Sequence, residues 1–392
     1  STKGRDNIGI FTSFNKSPDL KILGDILKFP DMVNHTFDLY NSSYFIESKE
    51  KLFRILKIYS LDPPKMKVPH FDDLIAFMVK KTKGMILDAL AVSEFHLGNI
   101  NNALQYSLEA LTIAQEVKDP QLLKIAYADM GYFHMSLGNY YSALELLHHS
   151  LEIDESSHDP WRKKNRVLSN LAQLYYIVGQ YEKALEYIHE ALELSEKEND
   201  LIGKARCLNA NGVILCNLNE FSEAEGYLLE ALSLSIKELN NKTLQALILN
   251  NLSFLYYSLS EIEKAKTYLS DALTLSIQMS DKSTEGIILS GMAMIELESG
   301  NVDNAVKYAE SALGISMDTY NLSGQADAKY ILGSIEDFFN DNPHVAYNHY
   351  NEAIELSETL RKNLMLDDFK ISFAGNNVML YQQMISLCIR MG

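Results

Sequence analysis

Apolar residues recur through most of the chain at the spacing of one face of an α-helix. Leu185, Ile188 and Leu192 are one example, and they lie on a single stripe when the segment is drawn as a helix. Short polar breaks interrupt this pattern at regular intervals. The pattern therefore predicts successive helices joined by short turns, each with an apolar stripe that a neighbouring helix must cover.

The breaks are evenly spaced. They follow one another at steps of 40 or 41 residues, and an alanine stands five residues after the first member of each. A fixed period of this length indicates internal repeats. The turn pairs are Gly98-Asn99, Gly138-Asn139, Gly179-Gln180, Asn219-Glu220, Ser260-Glu261, Gly300-Asn301 and Asp341-Asn342.

Small residues occupy three fixed positions in every repeat. Small side chains let two helices approach closely, so each repeat is predicted to be a hairpin of a first helix before the turn and a second helix after it. One hairpin cannot cover its own apolar face, whereas a stack of seven can. The three columns are Ala91, Gly131, Ala172, Gly212, Ser253, Ala293, Ser334; Ala103, Ala143, Ala184, Ala224, Ala265, Ala305, Ala346; and Ala110, Ser150, Ala191, Ala231, Ala272, Ala312, Ala353.

These columns resemble the tetratricopeptide repeat (TPR). The fragments LGNYYSALELLHHSLEI at 137–153 and VGQYEKALEYIHEALEL at 178–194 carry the likeness most clearly. The resemblance implies an all-α fold, a right-handed superhelix (α-solenoid) of about seven hairpins over residues 81–358. The familiar repeat has about 34 residues and a closing proline. The repeats of this chain are longer and lack that proline, so a longer second helix and linker are expected.

Residues 1–80 do not follow the repeat. An apolar set within 37–60 predicts one helix, which Pro63-Pro64 would end, and a further helix is predicted from Asp72 to Leu97. We interpret 1–80 as an N-terminal helical cap over the open end of the solenoid. The alternative is a segment that docks a partner or regulates the array.

Residues 359–392 form a C-terminal extension. A long second helix is expected to continue through Leu360-Arg361, with a bend near Gly375-Asn376-Asn377 and a new helix from Val378. This helix is interpreted either as a cap or as half of an eighth repeat in a protein that continues.

The Leu-Arg pair, the stretch Asp368–Phe373 and the run Leu380–Leu387 resemble the TPR region that precedes caspase-like CHAT protease domains. Similar tails also precede histidine kinase and cyclase modules, and the given residues contain no protease domain.

Composition narrows the class of ligand. The net charge is −17, the region after residue 80 carries the negative excess, and 47% of residues are hydrophobic. An acidic array is a poor match for phosphate backbones, so direct binding of nucleic acid is not expected. Three cysteines without a disulfide or CxxC pattern fit a reducing, cytoplasmic compartment. The sequence has no run of 18 or more apolar residues, so it predicts no membrane-spanning helix.

The sequence shows no catalytic constellation. It lacks GxxxxGK[ST], GxGxxG and HExxH motifs, and the pair His148-His149 would point in different directions on a helix. His134, His189 and His349 are interpreted as surface or packing residues. No enzyme activity, metal or cofactor is expected.

Polar residues on the first helices are the candidate binding site. Asparagine is a poor residue for a helix interior, yet several asparagines share one face, and an amide can both donate to and accept from a peptide backbone. The alternative is that these amides satisfy neighbouring helices or water. Arginines beside them could bind a carboxylate. The candidates are Arg166, Asn170, Gln173, Arg206, Asn209, Asn250, Asn251 and Tyr257.

The sequence therefore favours a scaffold that binds a peptide or partner protein in its concave groove, as a regulatory or sensor module of a signalling system. The alternatives are a peptide-sensing regulator and the TPR part of a larger effector enzyme, a CHAT protease, kinase or cyclase. Self-association through the end helices is left open.

Overall fold

The computed structural model describes residues 49–52, 71–153, 164–364 and 367–391. Beyond a short helical piece at 49–52, the described residues form sixteen helices, and the first fourteen pair into seven antiparallel hairpins. The helices are α1 Phe71–His96, α2 Ile100–Val117, α3 Pro120–Ser136, α4 Tyr140–Glu152, α5 Lys164–Ile177, α6 Tyr181–Lys197, α7 Leu201–Asn217, α8 Phe221–Lys237, α9 Lys242–Ser258, α10 Ile262–Met279, α11 Lys282–Glu298, α12 Val302–Asp318, α13 Leu322–Phe338, α14 Pro343–Lys362, α15 Asp367–Asn376 and α16 Val378–Met391.

Most of the first helices begin at an Asp or Asn cap. The cap side chain accepts a hydrogen bond of 2.9 to 3.1 Å from the backbone N–H three residues later, which satisfies one of the free donors at a helix start. Pro120 follows the cap Asp119 as the first residue of α3, a position where its missing N–H costs nothing. The capping residues are Asp119, Asp200, Asn241, Asp281 and Asn321.

The turn within each hairpin needs a left-handed residue. The first member of every predicted turn pair has a positive φ, between 50° at Asp341 and 82° at Gly98. Four of these seven positions are glycine, which adopts this conformation without steric cost. The turn pairs therefore end the first helices where the sequence predicts.

The small-residue columns lie at the contacts between helices. All seven alanines of the column that begins at Ala103 are fully buried. At Gly131 and Gly212 even a methyl group has no room, because an added Cβ would lie 2.8 Å and 2.5 Å from the Cγ atoms of Leu147 and Leu228. Apolar stripes on the other faces complete a core that runs through the stack.

The structure describes more of the C-terminal end of the chain than of the N-terminal end. The predicted helix within 37–60 lies outside the described residues apart from 49–52, where Lys49 pairs with the buried Glu94 at 2.9 Å. Of the proposed cap over 1–80, the structure describes only 49–52 and 71–80. The predicted helix from Asp72 to Leu97 corresponds to α1. At the other end, α15 ends at Asn376 and α16 begins at Val378, in agreement with the bend predicted near 375–377 and the helix predicted from Val378.

The end of α14 and helix α15 fold back onto the second and third hairpins, while α16 packs on α14. Leu360 packs at the turn glycine Gly138, and the Asn363 amide donates to the Gly138 carbonyl at 3.3 Å. Phe373 contacts Tyr140 with ring centroids 6.1 Å apart, and Phe369 lies edge-on to a neighbouring tyrosine. The stack thus completes about one superhelical turn, and its later hairpins contact its earlier ones.

A second contact between turns joins the first and sixth hairpins. Helix α11 packs against α1, and the His96 Nδ1 lies 3.5 Å from the Oδ1 of Asp281, which is fully buried. Burial opposes ionisation of this carboxyl, but the charge of His96 and hydrogen bonds from Thr284 hold the pKa of Asp281 below its ordinary value. This contact holds the first hairpin next to the sixth.

Candidate functional site

The first helices line a cavity of 460 Å³ on the inner side of the stack. A cavity of this volume is within the range of ligand sites in proteins. Residues from α1, α3, α5, α7, α9 and α11 contribute to its wall, so six hairpins meet around one space. The side chains repeat with the register of the array, because equivalent positions of successive first helices face the same way.

Asparagine side chains form a short chain of amides in the cavity wall. The Asn251 Nδ2 donates to the Asn209 Oδ1 at 2.9 Å, and the Asn250 Nδ2 lies 3.5 Å from the Asn251 Oδ1. In an earlier hairpin the Asn170 Nδ2 donates to the Ala128 carbonyl at 3.4 Å. Each of these hydrogen bonds uses one donor or acceptor of an amide. The amide group has further donors and acceptors, which these bonds leave available.

The two arginines of the wall differ. Arg166 forms an ion pair with the buried carboxylate of Asp129. Its charge also favours ionisation of Asp88, whose pKa burial nevertheless raises to about 6. Arg206 is exposed to the cavity, and the described part of the chain gives it no ion pair. Arg206 is therefore the arginine that can take a ligand carboxylate, while Arg166 is engaged within the protein.

The cavity brings together seven of the eight candidates from the sequence. Tyr257 is the exception: it lies outside the cavity wall, and its hydroxyl donates to Glu298 of the next hairpin. Burial and that acceptor raise the pKa of Tyr257. The seven that line the cavity are Arg166, Asn170, Gln173, Arg206, Asn209, Asn250 and Asn251.

Several wall residues escaped the sequence reasoning. His96 comes from the end of α1, and Asn241, Thr243, Ser283 and Thr284 come from the starts of α9 and α11. His96, Ser283 and Thr284 share the cavity because the first and sixth hairpins contact each other. The repeat period of the sequence does not predict which hairpins come into contact in this way. Asp129 carried a usable signal, since it occupies the register position of Asn170 and Asn251.

Within the described residues, no group of three or more His, Cys, Asp or Glu side chains is placed to hold a metal ion. Cys207 and Cys216 are buried and unpaired. Burial raises the pKa of Cys216 to about 11, so this thiol stays protonated near neutral pH and is a poor nucleophile. No helix of the described region has the length and hydropathy needed to cross a membrane.

Two family models match the sequence. The tetratricopeptide repeat model matches residues 122–197 and 163–237. A model described as anaphase-promoting complex subunit 5 matches residues 32–135 and 212–299. No curated protein sequence matches the chain.

Solved structures share the fold. A Rap protein in complex with competence and sporulation factor superposes with a TM-score of 0.60 at 15% identity, covering 92% of this chain and 98% of that one. The anaphase-promoting complex assembly Cut9-Hcn1 gives 0.53 at 15% identity, covering 88% and 54%. A signal transduction ATPase with a tetratricopeptide repeat sensor from Pyrococcus horikoshii gives 0.50 at 17%, covering 87% and 54%. At these identities the likeness concerns the fold alone.

Proposed function

Because this chain is a tetratricopeptide repeat protein, we propose that it binds an extended peptide, free or as a segment of a partner protein, in the cavity lined by its first helices. The observation that carries the proposal is the convergence of the amide chain and the exposed Arg206 on one inner wall. A Rap protein of the same fold has been solved with competence and sporulation factor bound, and that precedent supports the proposal.

The amides suit an extended backbone. A peptide in this conformation presents N–H and C=O groups that have left water and need partners. Asn170, Asn209 and Asn251 can supply donors and acceptors at intervals set by the repeat, and each is held by a bond to its neighbour. Such preorganisation lowers the entropic cost of binding.

Arg206 suits a carboxylate of the ligand. A guanidinium group presents paired donors that match the two oxygens of a carboxylate. The chain as a whole is acidic and repels carboxylates at its outer surface. An exposed arginine inside the groove therefore favours binding of a carboxylate there. The apolar wall residues Leu247 and Ile287 lie in the same cavity and can cover an apolar ligand side chain.

We further propose that the ligand regulates the shape of the array. Val92 of the first hairpin and Thr284 of the sixth line the same cavity, so a ligand between them would contact two successive superhelical turns. Binding would then favour the closed arrangement over a more open one, since a ligand shifts an equilibrium by its differential affinity for the two states. Three unpaired cysteines agree with the reducing cytoplasm as the place of action.

The test uses immobilised full-length chain and a random hexapeptide library. We expect the wild type to enrich a set of related sequences. Changing Asn170, Asn209, Asn250 and Asn251 together to Ala should abolish that enrichment while far-UV circular dichroism stays helical. A matched control replaces three exposed asparagines of second helices, Asn102, Asn304 and Asn348, and should enrich the same sequences as the wild type.

Two results would contradict the proposal. One is a wild type that enriches no sequence above the bare support. The other is unchanged enrichment by the quadruple variant, because the amides would then play no part in binding.

A further inference from the structure

Two buried carboxyl groups lie at the seam where the first and second hairpins meet. Asp88 is 4% exposed and Asp129 is 2% exposed. Both interact with Arg166 of the third hairpin, Asp129 through a direct ion pair and Asp88 through the charge of the guanidinium. Asp129 also lines the cavity.

The repeat register places these two carboxyl groups side by side. Asp88 occupies in the first hairpin the position that Asn209 occupies in the fourth, and Asp129 occupies in the second the position that Asn251 occupies in the fifth. The Asn209 and Asn251 amides are hydrogen bonded at 2.9 Å. The contact between hairpins four and five thus holds a pair of amides, and the equivalent contact between hairpins one and two holds a pair of carboxyl groups.

The carboxyl pair is incompletely satisfied. One guanidinium faces two carboxyl groups, and Asp88 Oδ1 and Asp129 Oδ2 are buried with no hydrogen-bond partner among the described residues. Burying an ionised oxygen without a partner costs free energy. Burial raises the pKa of Asp88 to about 6, so this carboxyl group is largely ionised near neutral pH and adds negative charge beside the Arg166–Asp129 ion pair.

Other buried aspartates outside this seam are satisfied, which makes the carboxyl pair distinctive. Asp119 accepts the Leu122 N–H at 2.9 Å and pairs with Lys81. Asp281 accepts from the backbone and the hydroxyl of Thr284. These aspartates cap helices, whereas Asp88 and Asp129 lie in helix interiors, where a carboxyl group has no capping role.

We propose that the Asp88–Asp129 pair is an anchoring subsite that takes a primary ammonium group of the peptide ligand, either its amino terminus or a lysine side chain. This inference rests on the peptide-binding function proposed above. An ammonium group is compact and has three donors, enough for the two unpartnered oxygens. A ligand guanidinium fits less well, because it is larger and the guanidinium of Arg166 is already paired with Asp129.

The subsite gives the ligand a direction. The ammonium group lies at the first and second hairpins, and the carboxylate lies at Arg206 in the fourth. The amide of Asn170 in the third hairpin stands between these two charged ends along the repeat order, and Asn209 lies beside Arg206; both can meet the peptide backbone.

The experiment compares two random hexapeptide libraries, one with free amino termini and one with acetylated amino termini, on immobilised full-length chain. We expect the wild type either to capture the free-amine library about tenfold more strongly, or to enrich lysine at one position of both libraries, which separates the two sources of the ammonium group. A tenfold preference corresponds to about 1.4 kcal/mol. Because each substitution removes one carboxylate of the subsite, Asp88→Asn and Asp129→Asn should each reduce that preference about tenfold.

Asp119→Asn is the matched control, since it removes a buried carboxylate outside the groove and should keep the preference. Asp88→Asn is the decisive variant if Asp129→Asn melts early, because Asp129 also forms the direct ion pair with Arg166. A wild type that selects peptides without preference for a free amine or lysine overturns this inference and leaves the peptide groove standing, as does a preference that persists in Asp88→Asn. Failure to enrich any sequence overturns the peptide groove itself.

Discussion

The same substitution at two glycines of one hairpin should have opposite effects on stability. Gly212 lies in α7 and Gly226 in α8, and both are in helix interiors. Replacing glycine by alanine there removes backbone freedom from the unfolded chain and stabilises a helix by about 1 kcal/mol. Gly226→Ala should show this full gain, because nothing lies within 4 Å of the added methyl group.

At Gly212 the added methyl group meets packed atoms. Its Cβ would lie 2.5 Å from the Cγ and 2.8 Å from the Cδ2 of Leu228, and 3.2 Å from the carbonyl oxygen of Ala224. Leu228 is fully buried, so it cannot move aside without displacing its own neighbours. Overpacking of this kind costs about 1 to 3 kcal/mol. The gain in helix propensity therefore offsets only part of the cost, and Gly212→Ala should be destabilised by up to about 2 kcal/mol.

The assay is urea unfolding followed by far-UV circular dichroism. Repeat arrays can unfold in more than one step, so both the midpoint and the slope are compared with the wild type. The difference between the two variants isolates the overpacking cost, because the propensity gain is common to both. If Gly212→Ala were stabilised as much as Gly226→Ala, the small-residue column would not lie at a helix contact and the repeat register would be wrong.

Three further predictions follow from single contacts. Ser260→Gly should stabilise the chain by about 1 kcal/mol in urea unfolding, because Ser260 has a φ of 62° that costs a non-glycine residue energy; no gain would contradict the left-handed turn. Phe373→Ala should cost about 3 kcal/mol, since Phe373 packs on Tyr140 across the superhelical turn, and a neutral effect would argue against that contact. The pKa of Asp88 is about 6 in the fold against 3.8 ordinarily, so the folded state holds a proton that the unfolded state has lost between these pH values, and the group's contribution to stability falls as pH rises through that window. Asp88→Asn cannot titrate, so its stability relative to the wild type should increase from pH 4 to pH 6.5, and a difference that is flat with pH would contradict the shift.

The hairpins could be predicted from the sequence because their causes are local. A left-handed turn favours Gly or a small polar residue, and a close helix contact needs Ala, Gly or Ser, so both leave a visible 40-to-41-residue period. The Asp and Asn caps of the first helices carry a comparable signal at Asp200, Asn241, Asp281 and Asn321, which could have fixed the helix starts.

The candidate site could be predicted only in part. Asn209 and Asn251 were found because they repeat on one face, and the structure places them against each other. The engagement of Arg166 by Asp129 was missed, because the two lie on different hairpins and no local rule pairs them. The contribution of His96 was also missed, since it depends on how many hairpins complete a superhelical turn, which small rotations accumulated over several repeats determine.

The most direct test of the central claim is amide hydrogen exchange of the full chain with and without the hexapeptide that the wild type enriches most. The account predicts slower exchange in the first helices α5, α7 and α9, with little change in the second helices α6, α8 and α10. Slowing confined to the second helices, or to the C-terminal helices α15 and α16, would place the ligand outside the groove and contradict the account.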